Sequence, residues 1–287
     1  MARVRPGEAA NPAPPTVQRI RVRFAKRGRL RFLSHRDVAR SVERAVRRAG
    51  IPVSHSHGFS PHPRLSWIGA APTGVASEAE YVEIGLTRPV DPGVLATMLD
   101  AALPDGLDVL AAAVAEGTPL VERIDASEWR IALPGVAPDD LRRAIAALEA
   151  ADALVVERVT PSGRREIDVR GALVAISVAV EELPAEAAAA PAGTDPGADA
   201  PVTPSGADPV VPRSSLPPVA RVCAILTAVV RQTTPAVRPD DVLGALDVVA
   251  GLKPPVPAKA TRMAQGLLDD RGRLADPLGP DRVTTRV

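Results

Sequence analysis

All four histidines of this 287-residue chain fall between positions 35 and 62. His35 stands in the string FLSHRD, and His55, His57 and His62 stand in SHSHGFSPHPR. In an extended chain the His55-x-His57 pair puts two imidazoles on one side, about 6.5 Å apart in Cα, which is a start toward a metal site. Residues 51–77 contain no Asp or Glu, however, and histidine ligands lean on carboxylates behind them. The arginine-rich surroundings also repel a cation, so no metal site is assigned. An anion suits the segment better. Ser54, Ser56, Ser60, the histidines and Arg64 are donors, and Gly58 lets backbone amides approach closely. His62, between Pro61 and Pro63, sits on a stiffened loop. His35 falls in the first turn of an arginine-striped helix, where the positive dipole end favours neutral imidazole. A neutral histidine beside a phosphate can serve as general base. His35 and His62 are therefore the candidate catalytic residues, the alternative being that they hydrogen-bond loops into place.

The second chemical signal is charge. Residues 19–50 hold eleven arginines and Lys26 against Asp37 and Glu43, a net +10, so the rest of this +1 chain carries −9. On a helical wheel Arg36, Arg40, Arg44 and Arg47 fall within a band of about 80°. Arg19, Arg21 and Arg23 alternate along a strand, and Lys26, Arg27 and Arg29 follow in a turn. Clustered rather than net charge is the footprint of a polyanion partner. RNA is expected over DNA, because no helix-turn-helix or zinc-finger pattern appears. The sheet face also lacks the paired aromatics on which an RRM stacks bases. The expected RNA-binding residues are Arg19, Arg21, Arg23, Lys26, Arg27, Arg29, Arg36, Arg40, Arg44, Arg47 and Arg64.

These residues need elements to hold them. Arg19–Phe24 alternates strictly, with Ile20, Val22 and Phe24 on the face away from the arginines. Ser34, three residues before Asp37, opens a helix whose apolar stripe is Val38, Val42, Ala45, Val46 and Ala49, and Gly50 and Pro52 close it. Strands are expected at Leu65–Ala70, Tyr81–Leu86 and Leu107–Val114, with a helix at Asp91–Ala102. The resulting order β-α-β-β-α-β over residues 18–117 predicts an α+β, ferredoxin-like unit. A second, decorated ferredoxin-like unit is expected from residues 127–181 plus 219–250. Its pieces are strand Glu128–Leu133, helix Pro138–Ala150, strands Leu154–Val159 and Arg164–Val169, strand Val219–Arg231 and helix Pro239–Ala250.

Three stretches read as unstructured. Residues 1–17 form a polar, Pro-rich leader with no apolar core of a secretory signal. Residues 182–218 carry nine prolines and no aromatic, too little bulk to offset ordering entropy, and read as a disordered insert. Residues 251–287 read as a Pro-rich tail with a short helix near Ala258–Leu268. Cys223 is the single cysteine, which excludes a disulfide framework, a Cys-rich zinc site and an iron–sulfur cluster held by this chain's thiolates. It lies in a continuous apolar strand and should be buried. No apolar run approaches the roughly 18–20 residues of a membrane span. A cytoplasmic protein without a cofactor and without a membrane partner is expected.

The strings RIRVRFAKRGRLRFLSHRDVARSVERAVRRAGIPV, GFSPHPRLS and PTGVASEAEYVEI, with weaker echoes in RREIDVRGAL and VRPDDVLGAL, resemble the radical SAM-associated family. This is a bacterial domain of unknown function that occurs alone or fused behind a radical SAM protein. By position, Ser34, His35, Asp37, Gly58, Phe59, Pro61, His62 and Pro63 match the family's pattern, whereas His55 and His57 depart from it. The resemblance implies a separately encoded radical SAM partner that carries the cluster, in keeping with the missing cysteines. It also implies a setting in RNA metabolism, since members are described beside genes for ribosomal proteins and an E/G-type ribonuclease.

Charge and resemblance together predict an RNA-binding accessory subunit that acts with that partner in tRNA or rRNA modification or processing. Two other readings are a metal-independent RNA-processing enzyme with His35 or His62 as general acid or base, and a scaffold whose arginine face docks the radical SAM protein.

Overall fold

The computed structural model describes residues 14–57, 60–160, 163–182 and 222–283. The first thirteen residues of the expected leader lie outside this range, as does all of the expected insert except Glu182.

Strand β1 (Gln18–Lys26) runs antiparallel to β3 (Ala76–Leu86) on one side and to β4 (Val109–Val114) on the other. Helix α1 (His35–Arg48), strand β2 (Leu65–Ile68) and helix α2 (Pro92–Asp100) complete the first half. β2 pairs with Tyr81–Ile84 of β3. The alternation predicted for β1 is present: Ile20, Val22 and Phe24 are fully buried, opposite Val82 and Ile84 in register. They pack against Val38, Val42, Ala45 and Val46 of α1 and Leu95 and Leu99 of α2.

The start of α1 is fixed as its sequence predicts. Ser34 Oγ accepts from the Asp37 amide at 3.3 Å and donates to Asp37 Oδ2 at 2.6 Å, satisfying a donor that the first helical turn leaves open. That hydrogen bond, ahead of Arg40 and Arg36, holds the Asp37 carboxyl below the usual carboxylate range. A lowered carboxyl contributes stability above its unfolded value near 4, and the contribution is lost as pH falls through the folded value. Gly50, at φ +64°, ends the helix in the left-handed conformation that glycine adopts without cost.

The second half comprises β5 (Ala126–Pro134), α3 (Pro138–Glu149), the hairpin β6 (Val155–Thr160) and β7 (Gly163–Asp168), the short α4 (Val169–Ala172), β8 (Leu173–Glu182), β9 (Val222–Arg231), α5 (Pro239–Ala250), β10 (Lys259–Gly266) and α6 (Gly279–Val283). Among the described residues the main sheet has eight strands in the order β4-β1-β3-β10-β5-β9-β8, with β2 on β3. In each half the fourth strand lies beside the first, then the third, then the second. The chain is an α+β protein, as the element pattern predicts.

Three expectations need correction. Residues 251–287 are not merely a tail, and Ala258–Leu268 is not a helix. Lys259–Gly266 is a strand, antiparallel to β5 and parallel to β3 at Thr261–Arg262, and it joins the two halves. The strands at 155–168 form a separate two-stranded sheet rather than part of the main one. β8, which nothing in the sequence pattern singled out, forms the sheet edge in their place. Cys223 is fully buried, as expected, and burial pushes its thiol up.

The joint between the halves is polar. Arg262 donates to the Glu80 carboxylate and to Ser77 Oγ at 3.3 Å, and Gln265 Nε2 donates to the Ala79 carbonyl at 2.6 Å. The back of the first half, opposite α1, is covered by a small apolar cluster of Ala79, Tyr81, Leu120, Ile124 and Leu278. Burial raises the Tyr81 phenol to about 12. Among the described residues, no helix is long and apolar enough to cross a membrane.

Candidate nucleic-acid interface

The apolar stripe of α1 is spent on the sheet, which leaves its other side to solvent. Arg36, Arg40, Arg44 and Arg47 are all exposed there. Their acidic neighbours are loose: Arg40 lies 3.7 Å from Asp37 and Arg47 3.8 Å from Glu43. Arg44 donates to Ser41 Oγ at 3.3 Å. Exposed pairs of this kind contribute little, so the guanidinium groups stay available to a partner.

The 3-10 turn Gly28–Phe32 leads into the helix and extends this face. Arg29 is exposed on it. Arg31 is anchored to the Gly74 carbonyl at 2.8 Å and lies over the Phe32 ring at 5.7 Å. Phe32 itself is 65% exposed. The chain has only six aromatic residues, and Phe24, Tyr81 and Trp129 are buried. An aromatic ring held in the open among arginines offers a base a surface on which to stack. Sequence reading gave Phe32 no role, although an aromatic inside KRGRLRFLSHRD that falls outside both apolar stripes was a usable signal.

The other expected contacts divide differently. Arg21 is 3% exposed and bonded to Glu83 at 3.2 Å, to Asp281 at 2.8 Å and to the carbonyls of Glu116 and Thr118. Lys26 is 1% exposed, and its ammonium donates to the carbonyls of Ala71 and Pro72 at 3.2 Å. Burial holds it below the usual lysine value, with Glu80 opposing the shift. These two are withdrawn from the expected cationic surface, because a buried, bonded cation cannot reach a phosphate. Arg23 is half-buried and donates to the Glu78 carbonyl at 2.8 Å, and Arg27 is clamped between Glu78 and Asp108. That clamp pushes the Arg27 guanidinium further above its ordinary value.

Arg19 and Arg64 stay exposed, but away from α1. By register, Arg19 faces Gly85 and Ser66 faces Glu83, all on the sheet face opposite Ile20 and Val82. His62 and Pro63 line the same cleft as Arg19 and Arg64. The His62 amide donates to Ser56 Oγ at 3.0 Å, and its carbonyl accepts from the Ser56 amide at 2.8 Å. His35 is exposed at the start of α1, edge-on to Trp67 at 5.3 Å between ring centroids. Among the described residues the rings of His35 and His62 are not in contact. Ser34 and Asp37 are occupied in the helix cap, and Pro61 is exposed. Gly58 and Phe59 lie outside the described residues. His55 is half-buried, bridged to Pro63, and His57 is exposed.

The family pattern of an uncharacterized protein conserved in bacteria (DUF2344) matches residues 19–239, which takes in both the α1 face and the His62 cleft. The chain belongs to that family. No curated protein matches the chain. Within DUF2344 terms, the matched span begins at β1 and reaches the first residue of α5. The family description names no activity.

Proposed function

We propose that this protein is an RNA-binding accessory subunit that works with a separately encoded radical SAM protein in the modification or processing of tRNA or rRNA. The observation that carries the RNA reading is the outer face of α1, where four exposed arginines run in one band from the turn that bears Phe32. Those four lie within twelve residues, eleven rises or about 16 Å of helix axis, which suits a row of phosphates. The radical SAM partner is supported by the resemblance of the arginine and histidine strings alone. The reading in which His35 or His62 serves as general acid or base has less behind it, since His35 abuts Trp67 at the helix start and His62 lines a cleft on the sheet face away from the α1 arginines.

Phosphate contacts make binding salt-dependent, with log K falling by about 0.7–0.9 per contact for each tenfold rise in salt. Four contacts therefore give a slope of roughly −3. Base stacking is worth about 1–3 kcal/mol per base and resists salt. Phe32→Ala should thus weaken binding of a single-stranded RNA about tenfold or more at every salt concentration, leaving the slope unchanged. Fluorescence anisotropy across a salt series reads both quantities. A flat salt dependence, or full affinity in Phe32→Ala, counts against this assignment of the surface.

A further inference from the structure

On the sheet face opposite α1, two open clefts of about 380 and 400 Å³ lie side by side along one surface groove, sharing Ser66 and Glu83 in their walls. One end is polar, with Arg19, Arg64, His62, Ser56 and Thr16 in its wall. The other is largely apolar, with Ile68, Pro119, Leu120 and Val121. Ligand sites of a few hundred Å³ that combine apolar walls with a few converging polar groups are the usual form of a small-molecule pocket.

The charge of the polar end follows from what lies beneath it. Glu83 takes Arg21 at 3.2 Å from the interior, and Asp281 takes both Arg21 at 2.8 Å and Arg123 at 2.9 Å. Two buried guanidinium groups thus stand against two carboxylates. Arg19 reaches Glu83 only at 3.6 Å and is 62% exposed. Arg64 donates to the His55 carbonyl at 3.3 Å, and among the described residues no carboxylate lies within ion-pair distance of it. The groove therefore keeps a cationic end even though a glutamate lies in its wall. Its floor at Gly85 has no side chain, and a Cβ there would come within 2.7 Å of Ser54 Oγ, which is itself bonded to Thr16 Oγ1 at 2.7 Å. The missing side chain lets Ser54, Thr16 and the stem of Arg64 pack directly onto β3 there, which sets Thr16 and Arg64 beside Arg19 in the cleft wall.

We propose that this groove binds a terminal phosphate group attached to an apolar or planar body, as in a nucleoside 5′-monophosphate or the 5′ end of an RNA. The phosphate lies between Arg19 and Arg64, whose planar forks match its oxygens, with the His62 ring and the hydroxyls of Ser56 and Thr16 around it. The base or other body lies toward Ile68, Pro119 and Val121. This site stands on the sheet face opposite α1 and does not depend on the RNA reading of that helix.

The test is calorimetric titration of the full chain with adenosine 5′-monophosphate, adenosine and inorganic phosphate. The monophosphate should bind at least tenfold more tightly than either of the others. Arg19→Ala with Arg64→Ala should lower its affinity tenfold or more. Ser66→Trp, at an exposed position shared by both clefts, should do the same by filling the groove, and circular dichroism checks that each variant is folded. A short RNA with and without a 5′-phosphate, titrated into Arg40→Glu/Arg44→Glu/Arg47→Glu protein, separates the two sources. A tenfold preference for the phosphorylated end over both the hydroxyl end and the free nucleotide assigns the groove to RNA ends; otherwise the free nucleotide is the ligand. Equal binding of adenosine and its monophosphate, or unchanged monophosphate binding in either folded variant, overturns the proposal.

Discussion

Replacing Arg40, Arg44 and Arg47 together with glutamate should abolish binding of an RNA that lacks a 5′-phosphate and leave the fold in place. Helix α1 carries five arginines against Asp37 and Glu43, a net +3. The triple variant leaves two arginines against five acids, a net −3, so the face turns from attracting phosphates to repelling them. The three lost contacts alone remove roughly 2–2.7 units of the salt slope, and the added repulsion removes what remains at physiological salt. The fold should tolerate this because the three side chains lean on solvent. Arg40 and Arg47 are more than 60% exposed, and their ion pairs are long. Pairs of that kind, and the like-charge neighbours the variant creates, each shift helix stability by only a few tenths of a kcal/mol. Val38, Val42, Ala45 and Val46 still fill the sheet-facing side. Anisotropy with the same RNA and a thermal melt check the two halves of this expectation. Undiminished binding by the folded variant would place the RNA elsewhere.

The second large effect is on stability. Asp281 is 1% exposed and holds Arg21 and Arg123, which are 3% and 8% exposed, from a segment more than 150 residues further along the chain. Asp281→Ala leaves two buried guanidinium groups without their shared carboxylate. Removing one partner of a buried ion pair costs about 3–5 kcal/mol, because the remaining charge keeps its desolvation penalty. Arg21 retains Glu83 and two carbonyls, so the cost should fall near the lower end of that range. At this chain length each kcal/mol lowers the melting temperature by roughly 2–4 °C, so a drop on the order of 10 °C is expected. Urea titration should show the same loss in midpoint. A change under about 1 kcal/mol would mean that the C-terminal segment is an ornament of the back face rather than part of it.

The sequence reading succeeded where structure is local. The start of α1 was legible because Ser34 and Asp37 bond across three residues, and its orientation because the apolar stripe and the arginine band lie on opposite sides. The face of β1 was legible from strict alternation. The failures share a cause in distance along the chain. Arg21 has the same alternating neighbours as Arg19 and Arg23, yet it is buried because Asp281, 260 positions away, folds over it. Lys26 follows an irregularity in register after Phe24 and ends beneath the carbonyls of Ala71 and Pro72. Lys259–Gly266 looked helical and peripheral because its sequence KATRMAQG alternates poorly. Its strand identity comes from partners at Ala126–Ala132 and Ala76–Ser77. At the candidate interface the same limit applied. The α1 arginines could be placed from the helix wheel, whereas the gathering of Arg19, His62 and Arg64 near Gly85 depends on the backbone hydrogen bonds that Ser54 and Arg64 make with Gly85.

Ultraviolet crosslinking of bound RNA to the purified chain, with the crosslinked peptides identified, tests the RNA assignment most directly. Crosslinks should concentrate on Arg29–Arg48, with Phe32 among the modified residues, and should disappear in the Arg40, Arg44 and Arg47 glutamate variant. Sequencing the attached RNA would then name the tRNA or rRNA site. Crosslinks that persist on Arg29–Arg48 in that variant, or that map to the β6–β7 hairpin or to β8, would contradict the account.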